Sequence, residues 1–99
     1  ITIKFTIFNR TEENIIFHFK SSQRYDFIIK DEKEKEVWRW SENKMFAMVL
    51  GEETLGPNNS EIIYSEKCNK KLIPGYYKVS GILISTNKEI NGSIVIEIR

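Results

Sequence analysis

A single cysteine, Cys68, and a single histidine, His18, are all that the chain holds of either residue. One thiol closes no internal disulfide, which fits a reducing compartment. Two imidazole and thiolate donors in total fall short of the three or four that zinc takes. Two prolines and five glycines are too few for a collagen-like or linker-rich chain. An excess of one charge is missing as well. Fifteen basic residues meet 14 acidic ones for a net +1, so neither nucleic acid nor an anionic membrane is implied as a partner. No apolar run approaches the ~20 residues of a membrane span, and no signal-peptide pattern is visible. A phosphate-cradling P-loop and a Gly-x-Gly-x-x-Gly are absent too.

What is present is alternation. The 99 residues are 40% hydrophobic and 29% charged, which suits one globular domain over 1–99 that folds without staples. Ile1, Ile3, Phe5 and Ile7 alternate with Thr2, Lys4 and Thr6, the period of a half-buried strand. Phe17 and Phe19 oppose Ile16 and His18, and Tyr25, Phe27 and Ile29 share a face. The charge run 30–36 reads as a hairpin tip leading to a strand over Val37-Trp38-Arg39-Trp40. Ser41 is placed to cap a short helical turn. Residues 45–50 fit a strand or a helix equally well, and 51–60, marked by Gly51, Gly56-Pro57 and Asn58-Asn59, read as a loop. Ile62, Tyr64 and Cys68 share one face. Then Tyr77, Val79 and Gly81 oppose Tyr76, Lys78, Ser80 and Ile82, and Ile94, Ile96 and Ile98 line the last strand. Pro74-Gly75 marks a turn between them. Seven or eight short strands without a long helix predict an all-β, antiparallel fold. An immunoglobulin-like sandwich is the first reading and a small closed barrel its rival.

Candidate chemistry is sparse. His18 lies mid-strand on the face opposite its two phenylalanine neighbours, as an exposed strand residue does. Pairing it with Cys68 as a nucleophile would want a third, orienting group that nothing suggests. Trp38-Arg39-Trp40 looks superficially like a stacking platform for single-stranded nucleic acid. The tryptophans share one face while Arg39 points the other way, so core packing is the preferred reading. Asp26, facing away from Tyr25 and Phe27, reads as a structural anchor on loop amides rather than a catalytic acid. Carboxylates in 31–36 are interleaved with lysines that would compete with a bound cation. No catalytic, cofactor-binding or metal-ligating set is expected, and the chain does not read as an enzyme.

The order of several short pieces carries a resemblance. Phe8-Asn9 with its polar turn is followed by Ser22-Gln23 leading into Tyr25-Asp26-Phe27. Then come Val37-Trp38-Arg39-Trp40-Ser41, Lys44-Met45-Phe46, Leu55-Gly56-Pro57, and Pro74-Gly75-Tyr76-Tyr77 with Gly81. Over about residues 3–83 the chain resembles the BsuPI-type family of bacterial intracellular proteinase inhibitors. Two departures stand out. The glycine usual after Tyr-Asp-Phe is missing, so the hairpin is longer or built on Asp31. The middle-loop Pro-Gly reads Pro57-Asn58, a mild change because Asn tolerates positive φ.

The resemblance implies an immunoglobulin-like sandwich that inhibits a subtilisin-like serine protease by placing an extended loop in its cleft, with one side chain in the specificity pocket. Three loops offer such a residue: 42–46 with Met45 or Phe46, 51–59 with Leu55, and 69–74 with Leu72. For Met45 and Phe46 core packing is the competing reading, and for Leu72 a plug at the end of the sandwich. A cytoplasmic monomer or weak dimer is expected. The chain opens at Ile1 rather than methionine, which makes a non-inhibitory accessory module of a larger secreted or cell-envelope protein the alternative.

Overall fold

The computed structural model describes residues 1–99 as eight strands and no helix. In chain order they are β1 (Thr2–Asn9), β2 (Ile15–Phe19), β3 (Tyr25–Lys30), β4 (Glu36–Arg39), β5 (Gly51–Leu55), β6 (Ser60–Lys67), β7 (Gly75–Leu83) and β8 (Ile90–Ile98). All pairings are antiparallel. One sheet has four strands in the order β4-β3-β7-β8, and two ladders of two strands join β1 to β6 and β2 to β5. No helix is long and apolar enough to cross a membrane.

The alternation seen in sequence sets which faces are buried. Ile3, Phe5 and Ile7 of β1, Phe17 and Phe19 of β2, Phe27 and Ile29 of β3, and Tyr77, Val79 and Leu83 of β7 share one core cluster. The inner face of the four-stranded sheet therefore packs on both ladders. Stacked sheets lie ~10 Å apart, and the shortest molecular axis of 20 Å accommodates two layers with their side chains. Gly81 brings the layers close: a Cβ there would meet Phe5 Cγ at 2.7 Å and Phe5 Cβ at 2.9 Å. Trp38 and Trp40 are half-buried and pack against the core, as their shared face predicts.

Three details differ from the sequence reading. Residues 51–55 form β5 rather than a loop, paired from Gly51 opposite Phe19 to Leu55 opposite Ile15. Gly-Glu-Glu-Thr-Leu has little intrinsic strand preference. The exposed backbone of β2 supplies the ladder that makes it a strand, so tertiary context overrides propensity. The second difference is at Ser41, which caps no helical turn; its hydroxyl donates to Asp26 instead. The third is at residues 45–50, which are neither strand nor helix.

The departures at the hairpins are resolved by local chemistry. Asp31 Oδ1 accepts from the amides of Lys33 and Lys35, both at 2.9 Å, so the glycine-free tip is built on Asp31. Glu34 takes the left-handed φ of 64° that a glycine would adopt at no cost. Asn58 and Asn59, at φ 59° and 67°, close the β5–β6 turn.

Candidate functional site

Residues 45–50 read Met-Phe-Ala-Met-Val-Leu and run without helix, turn or bend. Met45 is 98% exposed, Met48 84%, Val49 57% and Leu50 86%. Four large apolar side chains left in water within six residues of a small domain make this segment the candidate site. The remaining question is what keeps them from folding back onto the core.

The segment is held at its start, its middle and its end. At the start, Asp26 is 2% exposed and accepts four hydrogen bonds. They come from its neighbour's amide on Phe27 (2.9 Å), the Ser41 amide (3.1 Å), the Ser41 hydroxyl (2.5 Å) and Arg39 Nη1 (3.1 Å). Arg39 is held on its other side by Glu36 at 2.7 Å. That contact depresses the Glu36 carboxyl below its usual range and raises the guanidinium above its own. The turn through Ser41 is thereby locked to β3. Beyond it, the Trp40 ring stacks on Tyr25 at 4.8 Å, Lys44 Nζ lies 4.8 Å above the Trp40 ring, and Phe46 tilts against Trp40 at 5.9 Å.

In the middle, Ala47 is clamped from both sides. Its carbonyl accepts from the Ser22 amide at 2.8 Å and its amide donates to Ser22 Oγ at 2.9 Å. The Ser22 segment is itself braced, because Arg24 Nη1 donates to the Ser21 carbonyl at 2.8 Å. At the end, Gly51 enters the β2–β5 ladder opposite Phe19. Arg24 passes over that point, lying 4.4 Å from the Phe19 ring and 3.2 Å from Glu53. A Cβ on Gly51 would sit 2.6 Å from Arg24 Nη2, so the bare backbone at Gly51 leaves room for the guanidinium.

The side chains singled out from sequence are thus scattered. Met45 is fully exposed at the head of the segment, which overturns core packing for it. Phe46 is half-buried against Trp40 and serves as a foot. Leu55 is 2% exposed in β5, so it has no surface to present to a partner. Leu72 is half-buried against the core. Met48, Val49 and Leu50 were missed, because six apolar residues without period between Lys44 and Gly51-Glu52-Glu53 read as a buried strand or helix and carry no local sign of exposure.

Elsewhere the surface offers little chemistry. His18 is exposed and lies 3.5 Å from Glu52 across the ladder, and Cys68 is buried. No three of His, Cys, Asp and Glu gather where they could hold a metal. A 650 Å³ cleft beside the segment is lined by Arg39, Lys44, Lys67 and Lys70 among others. Arg39 is already paired, Lys44 lies on Trp40, and Lys70 Nζ donates to the Val37 carbonyl. What the arrangement can do chemically is present an extended apolar segment on a braced base. No curated protein matches the chain. A family model described as BsuPI, intracellular proteinase inhibitor, matches residues 1–88.

Proposed function

The chain belongs to the BsuPI family of intracellular proteinase inhibitors, and from that membership we propose that it blocks a cytoplasmic subtilisin-like serine protease by laying residues 45–50 in the enzyme's cleft. The observation that carries this reading is the exposed, extended Met-Phe-Ala-Met-Val-Leu segment clamped at Ala47 by Ser22. An inhibitor of this kind needs no catalytic residue. It needs a strand-like segment that adds to an enzyme strand by backbone hydrogen bonds and fills a pocket with one side chain. Clamping removes in advance the ordering cost that a flexible substrate incurs. Met45, Met48 and Leu50 are the side chains with the reach, and their chemistry suits a protease whose pocket takes large, unbranched or γ-branched apolar groups. An interface of about 1,600 Å² is the size to expect of a protease–inhibitor pair. We also read the two antiparallel layers as an immunoglobulin-like sandwich, a family of arrangements that offers loops at its ends for such contacts.

The test is a titration of the protein into subtilisin-like proteases, followed with a small chromogenic substrate. Saturable inhibition by protein that stays uncut supports the reading. Met45→Asp, Met48→Asp and Leu50→Asp then identify the pocket residue. At the buried one the inhibition constant rises by roughly 100-fold, since an apolar pocket must take in a charge. Leu72→Ala leaves inhibition intact. Absence of inhibition across several such enzymes, or equal inhibition by all three aspartate variants, overturns the reading.

A further inference from the structure

The chain has two methionines, and both lie in the exposed segment, Met45 at 98% and Met48 at 84% exposure. A composition with so few methionines gives no reason for both to sit within four residues of each other, outside the core that methionine ordinarily fills. Competing oxidisable groups are less open to solvent. Cys68, the one thiol, is 3% exposed, and Trp38 and Trp40 are half-buried against the core. An oxidant in solution therefore meets these two thioethers first.

We propose that Met45 and Met48 are a modification site: a peroxide-class oxidant converts them to sulfoxides, which weakens the hold of residues 45–50 on a protease, and reduction restores it. This rests on the inhibitor reading above. In the forward step the thioether sulfur attacks a peroxide oxygen. The O–O bond breaks, an S–O bond forms, and the other oxygen leaves as water. Sulfur loses two electrons and the peroxide gains them. In the reverse step two thiols of a reductase system take the oxygen off as water and are left as a disulfide. The sulfoxide is polar and chiral where the thioether was apolar. Neither sulfur is packed in the fold, so oxidation costs the folded domain nothing. Its whole effect falls on docking, where a sulfoxide in an apolar cleft loses its hydration without a partner.

The experiment treats the intact protein with hydrogen peroxide, counts added oxygens by mass spectrometry, and measures the inhibition constant and the melting curve before and after. Two oxygens are expected, at the rate of free methionine, with an unchanged melt. The inhibition constant should rise about 10- to 100-fold and return on treatment with methionine sulfoxide reductases and a dithiol. A Met45→Leu/Met48→Leu double variant is compared with its own untreated value, which peroxide should not move. The proposal is overturned if the oxidised protein inhibits as well as the untreated one, if the double variant loses inhibition to the same extent, or if the methionines resist oxidation. If the untreated protein inhibits nothing, it is the inhibitor reading that fails, and the switch falls with it.

Discussion

Asp26 and Asn9 are the buried polar side chains of the domain, at 2% and 1% exposure, and each holds a turn that alternation alone leaves undefined. Asn9 Nδ2 donates to the carbonyls of Glu13, Leu55 and Gly56, and its Oδ1 accepts from Thr11. Asp26 does the same for the turn at Ser41. Removing Asp26 takes the acceptor from the buried Phe27 amide and from two Ser41 donors and leaves Arg39 with Glu36 alone. Because Arg39 is 36% exposed, water recovers part of the loss. Asp26→Ala should therefore cost about 3 kcal/mol, the low end for a broken buried pair, measured by chemical denaturation, and it should weaken inhibition further by loosening the 45–50 segment. The opposite sign is expected at Glu34. A non-glycine residue at φ 64° carries a steric cost of about 1 kcal/mol, so Glu34→Gly should raise stability by several tenths of that order in the same measurement, and a fall in the denaturation midpoint would show the turn to be held otherwise.

At the level of elements, the segment and its brace can be separated from the core. Ser22 is exposed, so Ser22→Ala should move the melting temperature little. It removes the acceptor for the Ala47 amide and leaves the Ser22 amide on the Ala47 carbonyl, so the half-released segment must be ordered further on docking. Inhibition should weaken by roughly three- to tenfold through preorganisation alone. An unchanged inhibition constant would show that the hydroxyl half of the clamp does not matter. Gly81→Ala acts the other way round. Its new methyl group collides with Phe5, and the rigid ring and backbone of β1 must shift. A loss of about 2 kcal/mol is expected, with inhibition retained in whatever fraction stays folded. At these two scales much was readable in advance. Seven of the eight strands announce themselves by period-2 alternation or by their aromatic and β-branched residues, and the Asp31 hairpin and the positive-φ asparagines follow from local chemistry. β5 did not, because Gly51-Glu52-Glu53-Thr54-Leu55 carries no pattern of its own. The exposure of Met48, Val49 and Leu50 did not either, since an aperiodic apolar run ordinarily means burial.

Over the whole molecule, side chains rather than ladders tie the separate sheets together. The Tyr25 hydroxyl of β3 donates to Glu66 of β6, and the Tyr64 hydroxyl of β6 donates to Glu53 of β5 at 3.0 Å. The two rings stack at 4.5 Å. Burial and the neighbouring Glu66 push the Tyr25 phenol up to about 12, and burial with Glu53 pushes Tyr64 up as well. A group that holds its proton more tightly when folded gives its full stabilisation below its unfolded value, near 10. The stabilisation is lost as pH rises through the folded value. Stability should therefore be flat with respect to these phenols up to about pH 10 and fall above it, between about 10 and 12 for Tyr25 and from the same starting point to a higher pH for Tyr64. Phenolate absorbance and circular dichroism during an alkaline titration read this directly. Tyr25→Phe and Tyr64→Phe should each flatten the fall, and a fall of equal depth in the double variant would assign it to other groups.

What the sequence determined by itself was the class of fold and the family. Strand period, turn chemistry and the spaced Tyr-Asp-Phe and Trp-Arg-Trp-Ser pieces are local properties, written in residues that sit next to one another. What only the tertiary structure decided was which apolar residues reach water. Leu55 and Met45 are alike in hydrophobicity and lie in adjoining stretches. One is buried because the β2 backbone pairs its segment into the core, and the other stands in solvent because Asp26 and Ser22 hold its segment away. Those partners are distant in sequence, and burial is a property of what the rest of the chain places around a side chain.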